Sequence, residues 1–439
     1  SALKPFAYWL GLERGLDPGG ITLSTVLEDL PGTWNGTHGT WAPTNYDDNF
    51  HGPVQAREAL ARSLNLPAVR VLERLGTSEL QRRLEELGLT TLDKRPAHYG
   101  LGLVLGNAEV RLDELTAAYL ALAQHGLYRP LSWAPGEEVD PLQTGLPTAA
   151  WLILDAMDDA HARAGSFMME SALEPPFPMA AKTGTSVGFR DNWAFGITAE
   201  HTIGVWVGNF DGEPMIELSG VSGAGPILNR VARSLNPDDQ TALRARPDTT
   251  EKVRVCVLSG MRQGDACPGG RIEHFLRGTP PTEDCNWHQR IEVDASGALA
   301  TGCANAMPRV AIAWPGNFSA WAQAQGELSW PDADHSCTAR PSAWPEPEAG
   351  SPGITWPADG SVFYLDPRDP PETQAIPLRA NLPRGSVAVR WWIDDQLLGE
   401  VSTPFNFRWI PTVGEHRVRL ERNGQTLDQI KIWVGGDLE

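Results

Sequence analysis

Long apolar runs, surplus positive charge and paired cysteines are missing from this sequence, and each absence excludes something. No apolar stretch reaches the roughly 18 residues a membrane-crossing helix needs, and no secretory leader is visible at the start. Lys and Arg number 36 against 55 Asp and Glu, a formal charge of −19. A concentrated basic face for phosphates is therefore lacking, which excludes nucleic acid as a partner. The five cysteines, Cys256, Cys267, Cys285, Cys303 and Cys337, all fall after residue 250. None forms a C-x-x-C pair, which argues against a zinc ribbon despite the nearby His274 and His288. Their crowding in a Gly- and Pro-rich stretch fits disulfides formed in an oxidising compartment, with one cysteine left over. Buried thiols are the competing reading. No metal-ligand set and no cofactor is expected.

What is present describes a globular protein. With 439 residues, 41% hydrophobic and 21% charged, the chain can build two or three domains with real cores. It opens on Ser1-Ala2-Leu3-Lys4-Pro5 without a methionine. The expectation is a piece of a longer protein, whose targeting or anchoring segments lie outside it.

Residues 1–16 read as a helix start, with Leu3, Phe6, Ala7, Leu10 and Leu12 on an apolar side. Ser1 and Lys4 are three apart, which on a helix brings a hydroxyl and an amine to one face. A lysine needs that placement to take a serine's proton, although most S-x-x-K sequences are solvated surface pairs. Residues 17–52 are loop-rich and end in TWAPTNYDDNFHGP, so they predict a functional loop or the wall of a site. In VQAREALARSLNLPAV, Ala56, Ala59, Leu60 and Leu64 keep helical spacing, and Pro67 is expected to stop the run after Asn65. Ser63 and Asn65 flank that stop and can point into a cleft. Taken alone, S-x-N is better explained as an ordinary helix end.

Three core helices follow. SELQRRLEELGL opens with Ser78 three before Gln81, a capping-box pattern, and ends at Gly88. VRLDELTAAYLALAQHGLY places Leu112, Leu115, Tyr119 and Leu122 on one face, and LPTAAWLILDAMDDAHA carries Pro147 near its first turn. Further on, RDNWAFGIT and TIGVWVGNF read as a hairpin, and SGAGPILNRVARSL as a closing helix. Residues 245–345 carry the cysteines and little helical periodicity, and PSAWPEPEAGSPG (341–353) reads as a linker. From residue 354, short alternating runs with Asp-Gly and Asn-Gly turns predict a small β-sandwich, a binding or spacing module.

Between the helices and the hairpin stands Lys182-Thr183-Gly184-Thr185-Ser186. On a strand, Lys182 and Gly184 share one face and Thr183 and Thr185 the other. The glycine admits a close neighbour, and a strand-edge amide can donate to an oxyanion. Alone, this is a strand leaving a turn with a solvated lysine as often as it is a site.

Ser1-x-x-Lys4, Ser63-x-Asn65 and Lys182-Thr183-Gly184-Thr185 occur in that order, and the ordered trio is far more specific than any member. It is the signature set of serine acyl-enzymes that act on β-lactams and D-alanyl peptides. The surrounding text resembles class A penicillin-binding proteins of the 1C type. The stretches that carry the resemblance are SALKPFAY, NYDDNFHGPVQAREALARSLNLPAV, GLGLVLGNAEV, AAKTGTS, DNWAFGIT with GVWVGN, CVLSGMRQGDACP and CNWH.

The resemblance spans nearly the whole chain. It implies an α/β (α+β) transpeptidase fold of the penicillin-binding-protein and β-lactamase type, an antiparallel sheet with helices, followed by the β-sandwich. It divides the chain into a transpeptidase domain (1–240), a connecting region (241–345) and a C-terminal domain (346–439). The family carries a membrane anchor and a glycosyltransferase domain upstream, and strands of its central sheet precede the nucleophile. This chain starts on the nucleophile, so weakened turnover is expected of it.

By the same resemblance, Ser1 is the nucleophile and Lys4 takes its proton. Ser63 relays a proton toward the leaving nitrogen, Asn65 binds the substrate amide, and Lys182 tunes Ser63. Thr183 and Thr185 hold the terminal carboxylate beside Gly184 and Ser186, and the oxyanion lies between the amides of Ser1 and Thr185. The implied partners are peptidoglycan stem peptides, β-lactams and cell-wall synthesis proteins that dock on the C-terminal domain, at the periplasmic face of the inner membrane. Three other readings compete: a D,D-carboxypeptidase or β-lactamase on the same site, a non-catalytic scaffold, and chance motifs in an unrelated α/β protein. No acidic residue stands out as a deacylating base.

Overall fold

Helix α1 (Lys4–Arg14) is buried on all sides in the computed structural model of the chain. Phe6, Ala7, Tyr8 and Trp9 are fully inaccessible, and so is Lys4. The helix is therefore central, where the sequence pattern predicts a longer one with a single apolar side. Pro5 sits in its first turn, where no intrahelical N–H is lost. Gly15 ends it at φ 55°, donating its amide to the Leu12 carbonyl. Ser1 lies just ahead of the helix, and its carbonyl accepts the Lys4 amide at 3.2 Å.

The structure describes residues 1–439 except 37–38, 133, 135–139, 168–171, 216–218, 237–244, 296–297, 326–352, 358, 366–374, 383–387, 403–404 and 436–439. They form two compact units.

The first unit comprises Ser1–Asp29, Pro43–Gly260 and Arg271–Thr282. Strand β1 (Val26–Asp29) pairs antiparallel with β2 (Gly52–Gln55), which runs directly into α2 (Ala56–Ala61). Helix α3 (Asn65–Leu75) begins three residues after α2 ends. The break between them falls earlier than the sequence predicts. Ser63 adopts a left-handed φ of 61°, and Asn65 opens a new helix instead of closing the old one. Pro67 is accommodated because the amides of a helix's first turn have no intrahelical partner.

Helix α4 (Thr77–Glu86) starts one residue before Ser78, with Gly76 as its N-cap and no side-chain cap, so the expected capping box does not form. Helix α5 (Leu112–Ala123) buries Leu115, Tyr119 and Leu122 but leaves Leu112 38% exposed. Helix α6 (Pro147–Met157) begins on its proline as expected.

The predicted strand and hairpin form one antiparallel sheet. Strands β3 (Ala180–Thr185), β4 (Asp191–Ile197) and β5 (Thr202–Gly208) lie in the order β3-β4-β5, which leaves β3 on an edge. Helix α7 (Ala224–Leu235) covers one face, where Leu228 and Ala232 join Ala181, Ala194 and Val205 in a common core. On the other face Phe195 stacks on Tyr119 of α5, with ring centroids 4.2 Å apart and planes within 2°. Helices on both faces of an antiparallel sheet are the mixed α/β architecture predicted from sequence.

Strands β6 (Thr250–Cys256) and β7 (Gly270–Leu276) make a separate two-stranded ribbon. Arg57 of α2 is nearly inaccessible and binds Glu273 of β7 through two hydrogen bonds, at 2.9 and 2.7 Å. Asp155 and Asp159 accept from the same guanidinium.

The second unit comprises Leu30–Ala42, Met261–Gly270 and Glu283–Glu439. Strand β8 (His288–Val293) pairs with β9 (Met307–Ile312), and helix α8 (Gly316–Ala324) follows. The strands after residue 352 form two sheets, one of three strands and one of five. Leu378 of the smaller sheet and Trp391, Val418 and Ile432 of the larger share one core. That is the predicted β-sandwich.

Cys303 is disulfide-bonded. Cys256, Cys267 and Cys285 carry no disulfide, which corrects the expectation of a single unbridged cysteine. Cys337 and most of the expected linker lie outside the described residues. No helix among the described residues is long and apolar enough to cross a membrane.

Candidate active site

The helix break at Ser63 brings the three motifs together. Its left-handed turn directs the hydroxyl toward the edge of β3, where Lys182 Nζ donates to Ser63 Oγ at 2.6 Å. Lys4 Nζ approaches the same hydroxyl at 3.4 Å and donates to the Ser63 carbonyl and to Asn65 Oδ1, each at 2.6 Å. Residues 4, 63, 65 and 182 thus form one hydrogen-bonded cluster.

Both lysines are buried, and burial is the main cause of what happens to their charge. It takes the Lys182 ammonium from its ordinary value down to about 7. It holds Lys4 well below the ordinary lysine range, with the charge of Lys182 pushing the same way and Asp29 opposing. A neutral lysine beside a charged one is a state this cluster can hold near neutral pH.

Ser1 fronts a cleft of about 460 Å³ together with Gly184, Thr185 and Ser186 on one wall and Asn107 on the other. The walls approach closely at two glycines. A Cβ on Gly184 would stand 3.3 Å from the Ala2 nitrogen, and one on Gly106 (φ 99°) would stand 3.2 Å from the Ser1 nitrogen. Tyr119 Oη donates to the Ala2 carbonyl at 2.7 Å and fixes the chain beside Ser1.

Strand alternation divides the KTGT residues. Lys182 pairs across the sheet with Phe195, and Thr183 with Ala194, so their side chains leave on opposite faces. Gly220 packs on Thr183: an added Cβ would lie 3.1 Å from the Thr183 Cβ. Thr185 Oγ accepts the Gly220 amide at 2.9 Å and still lines the cleft, as Thr183 does not.

Four residues that the motifs do not include complete the site. Asn45 Oδ1 accepts the Asn65 amide at 2.7 Å, and the Thr44 carbonyl accepts Asn65 Nδ2 at 2.6 Å. Asn45 is held in turn by the fully buried Asp29, whose two oxygens accept its Nδ2 at 2.8 and 2.9 Å. His51 binds Asp29 Oδ2 through its amide at 2.8 Å and its Nδ1 at 2.7 Å. Although burial opposes it, hydrogen bonding to Asp29 and Asp47 raises the His51 imidazole to about 9. The sequence signals for this network are the long polar loop read as a wall of a site and, for Asn45 and His51, the stretch NYDDNFHGP that carries part of the resemblance.

The chain belongs to the penicillin-binding protein transpeptidase family, and residues 1–231 match the penicillin binding protein transpeptidase domain. Residues 246–290 match the C-terminal domain of penicillin-binding protein 1A, and residues 343–432 the Penicillin-Binding Protein C-terminus Family. Penicillin-binding protein 1C of Escherichia coli is 33% identical over 417 residues, 89% of this chain and 50% of that protein. Penicillin-binding protein 1B of Vibrio cholerae is 32% identical over 236 residues, 51% of this chain and 29% of that one. The chain therefore spans half the length or less of these curated relatives. The solved penicillin-binding protein 1A of Haemophilus influenzae shares the fold, with a TM-score of 0.54 and 22% identity over 65% of this chain and 48% of that one.

Proposed function

We propose that this chain is a serine-type D,D-transpeptidase that crosslinks peptidoglycan stem peptides and is acylated by penicillins. The observation that supports this most is the Ser63 hydroxyl held between two buried lysines, 2.6 Å from Lys182 and 3.4 Å from Lys4. A hydroxyl so placed can pass a proton between an amine base and a leaving nitrogen.

In this reading Ser1 Oγ attacks the carbonyl between the two D-alanines while Lys4, kept neutral by burial, accepts its proton. The C–N bond breaks, and the departing D-alanine amine takes a proton delivered through Ser63. An amine of a neighbouring strand then attacks the ester, restores the Ser1 hydroxyl and leaves an amide crosslink. Lys182 supplies positive charge beside Ser63, and Asn65 binds the substrate amide. Thr185, on the cleft wall with Gly184 and Ser186, receives the terminal carboxylate, and the oxyanion lies between its amide and the Ser1 nitrogen. Thr183 supports the strand from the opposite face.

The boundaries proposed are 1–240 for the transpeptidase domain, 241–345 for the connecting region and 346–439 for a sandwich that docks cell-wall synthesis proteins. The proposed location is the periplasmic face of the inner membrane.

Intact mass after incubation with benzylpenicillin tests the reading, with Ser1→Ala as control. A stable adduct that maps to Ser1 is expected. Rapid loss of the adduct would favour the hydrolytic alternative, and no adduct on this chain or a longer form would favour a scaffold.

A further inference from the structure

Three donor atoms converge within the second unit: the Sγ atoms of Cys267 and Cys285 and a ring nitrogen of His288 lie within 4.8 Å of one another. Cys285 Sγ and His288 Nδ1 are 3.4 Å apart. In a tetrahedral zinc site, Zn–S bonds of about 2.3 Å and Zn–N bonds of about 2.0–2.1 Å put neighbouring donors about 3.4–3.8 Å apart. The cysteine–histidine pair already has that spacing, and small χ rotations bring in the second thiol.

Local folding sets the convergence. Cys285-Asn286-Trp287-His288 turns into β8, so residues three apart reach the same point. The loop bearing Cys267 is tied to the Cys285 segment by the Arg262 amide to the Glu283 carbonyl at 3.0 Å. The Cys285 amide returns to the Arg262 carbonyl at 2.8 Å. Cys267 closes its own turn on the Gly264 carbonyl at 3.1 Å, and Arg290 Nη2 donates to the Asp265 carbonyl at 2.8 Å. Trp287, between the ligands in sequence, packs at about 6 Å on Trp314 and Phe318 and gives this segment an apolar backing.

We propose that Cys267, Cys285 and His288 bind one zinc ion. Thiolate and imidazole donors select zinc over magnesium or calcium, which take oxygen ligands. Held between the Cys267 loop and the turn that leads into β8, the ion would brace that loop. The spacing, C-x17-C-x2-H, hides the set from a search for C-x-x-C pairs.

The test uses the tag-free chain, purified under reductant and stripped of metal by chelator, then titrated with Co2+ as a spectroscopic probe. One equivalent should produce thiolate-to-cobalt charge-transfer absorption and the intense ligand-field bands of a tetrahedral site, and Zn2+ should displace it. Cys285→Ser and His288→Ala should each weaken zinc binding at least tenfold. Adding chelator should lower the thermal midpoint of the zinc-loaded wild type but not of either variant. Absence of the charge-transfer band in wild type would overturn the proposal without recourse to any variant. So would a mapped Cys267–Cys285 disulfide in metal-free protein purified without reductant, or unweakened zinc binding by a folded Cys285→Ser variant.

Discussion

Lys182 and Ser63 are 119 residues apart in sequence, and their side chains meet at 2.6 Å. The meeting depends on two unrelated local structures. Among the described residues the lysine's strand has no neighbouring strand on one side, and a left-handed turn lifts the serine out of its helix. The turn cannot move without breaking a contact to Lys4, which bonds to both sides of it.

Removing the hydroxyl tests whether that contact carries the proton. Ser63→Ala should slow acylation by penicillin about 10²–10⁴-fold, the usual loss when a positioned proton-transfer group is removed. Ser63→Gly should be equally slow yet more stable than Ser63→Ala by about 1 kcal/mol, because glycine accepts the 61° φ without a Cβ penalty. Time-resolved intact mass and urea denaturation separate the two effects. An unchanged acylation rate in both variants would take Ser63 out of the proton path.

The buried lysines predict a bell-shaped pH dependence. Acylation should rise with pH as Lys4, depressed by burial and by Lys182, loses its proton. It should fall through about pH 7, where Lys182 loses the charge that faces Ser63. Lys182→Arg keeps a permanent charge and should abolish the falling limb, at some cost in rate from the altered geometry. A falling limb that persists in Lys182→Arg would assign it to another group.

The buried ion pair at Glu273 should dominate stability in this unit. Glu273 is inaccessible, takes two hydrogen bonds from Arg57 and pairs with Arg271 at 3.1 Å, so Glu273→Gln removes the buried anion between two guanidiniums and leaves Arg271 without it. A loss of about 3–5 kcal/mol is expected from urea denaturation. Arg57→Met combined with Glu273→Leu should recover little of it, since Asp155, Asp159 and Arg271 then lose their partners as well. Arg57 opens the helix that ends just before Ser63, so the single variant should also acylate more slowly.

Much of this site was legible because its parts are local. Alternation on a strand predicted that Lys182 and Thr183 part company, and the glycine at 184 predicted a close approach, met by Ala2. Short runs punctuated by Asp-Gly and Asn-Gly predicted the sandwich. What escaped depends on tertiary contacts. Propensity and Pro67 place the helix break after Asn65, but Asn45 and Thr44 hold Asn65 as the start of the next helix. Ser78 and Gln81 have the spacing of a capping box, yet Gln81 instead donates to the Leu92 and Lys94 carbonyls. Asp29 stands in no quoted stretch, and Asn45 and His51 stand in one without a role of their own, because a network that only positions other residues has no fixed spacing.

That network makes a prediction about pH and stability together. His51 is raised to about 9 by its carboxylate partners despite burial, whereas an unfolded histidine titrates near 6.5. Folding therefore takes up a proton between those values. The stabilisation is fully present below about pH 6.5 and lost as pH rises through about 9. Its ceiling is about 3 kcal/mol, because the imidazole is only 21% exposed and little screened. Urea denaturation of wild type and His51→Gln should show the gap at pH 6 narrowing by pH 10, whereas a gap independent of pH would mean that folding leaves the histidine's titration unshifted. Asp29 holds Asn45, and Asn45 holds Asn65, so the same variant should acylate more slowly at pH 6. Slowed acylation without lost stability would place the role of His51 in the site alone; lost stability without slowed acylation would show that Asp29 orients Asn45 unaided.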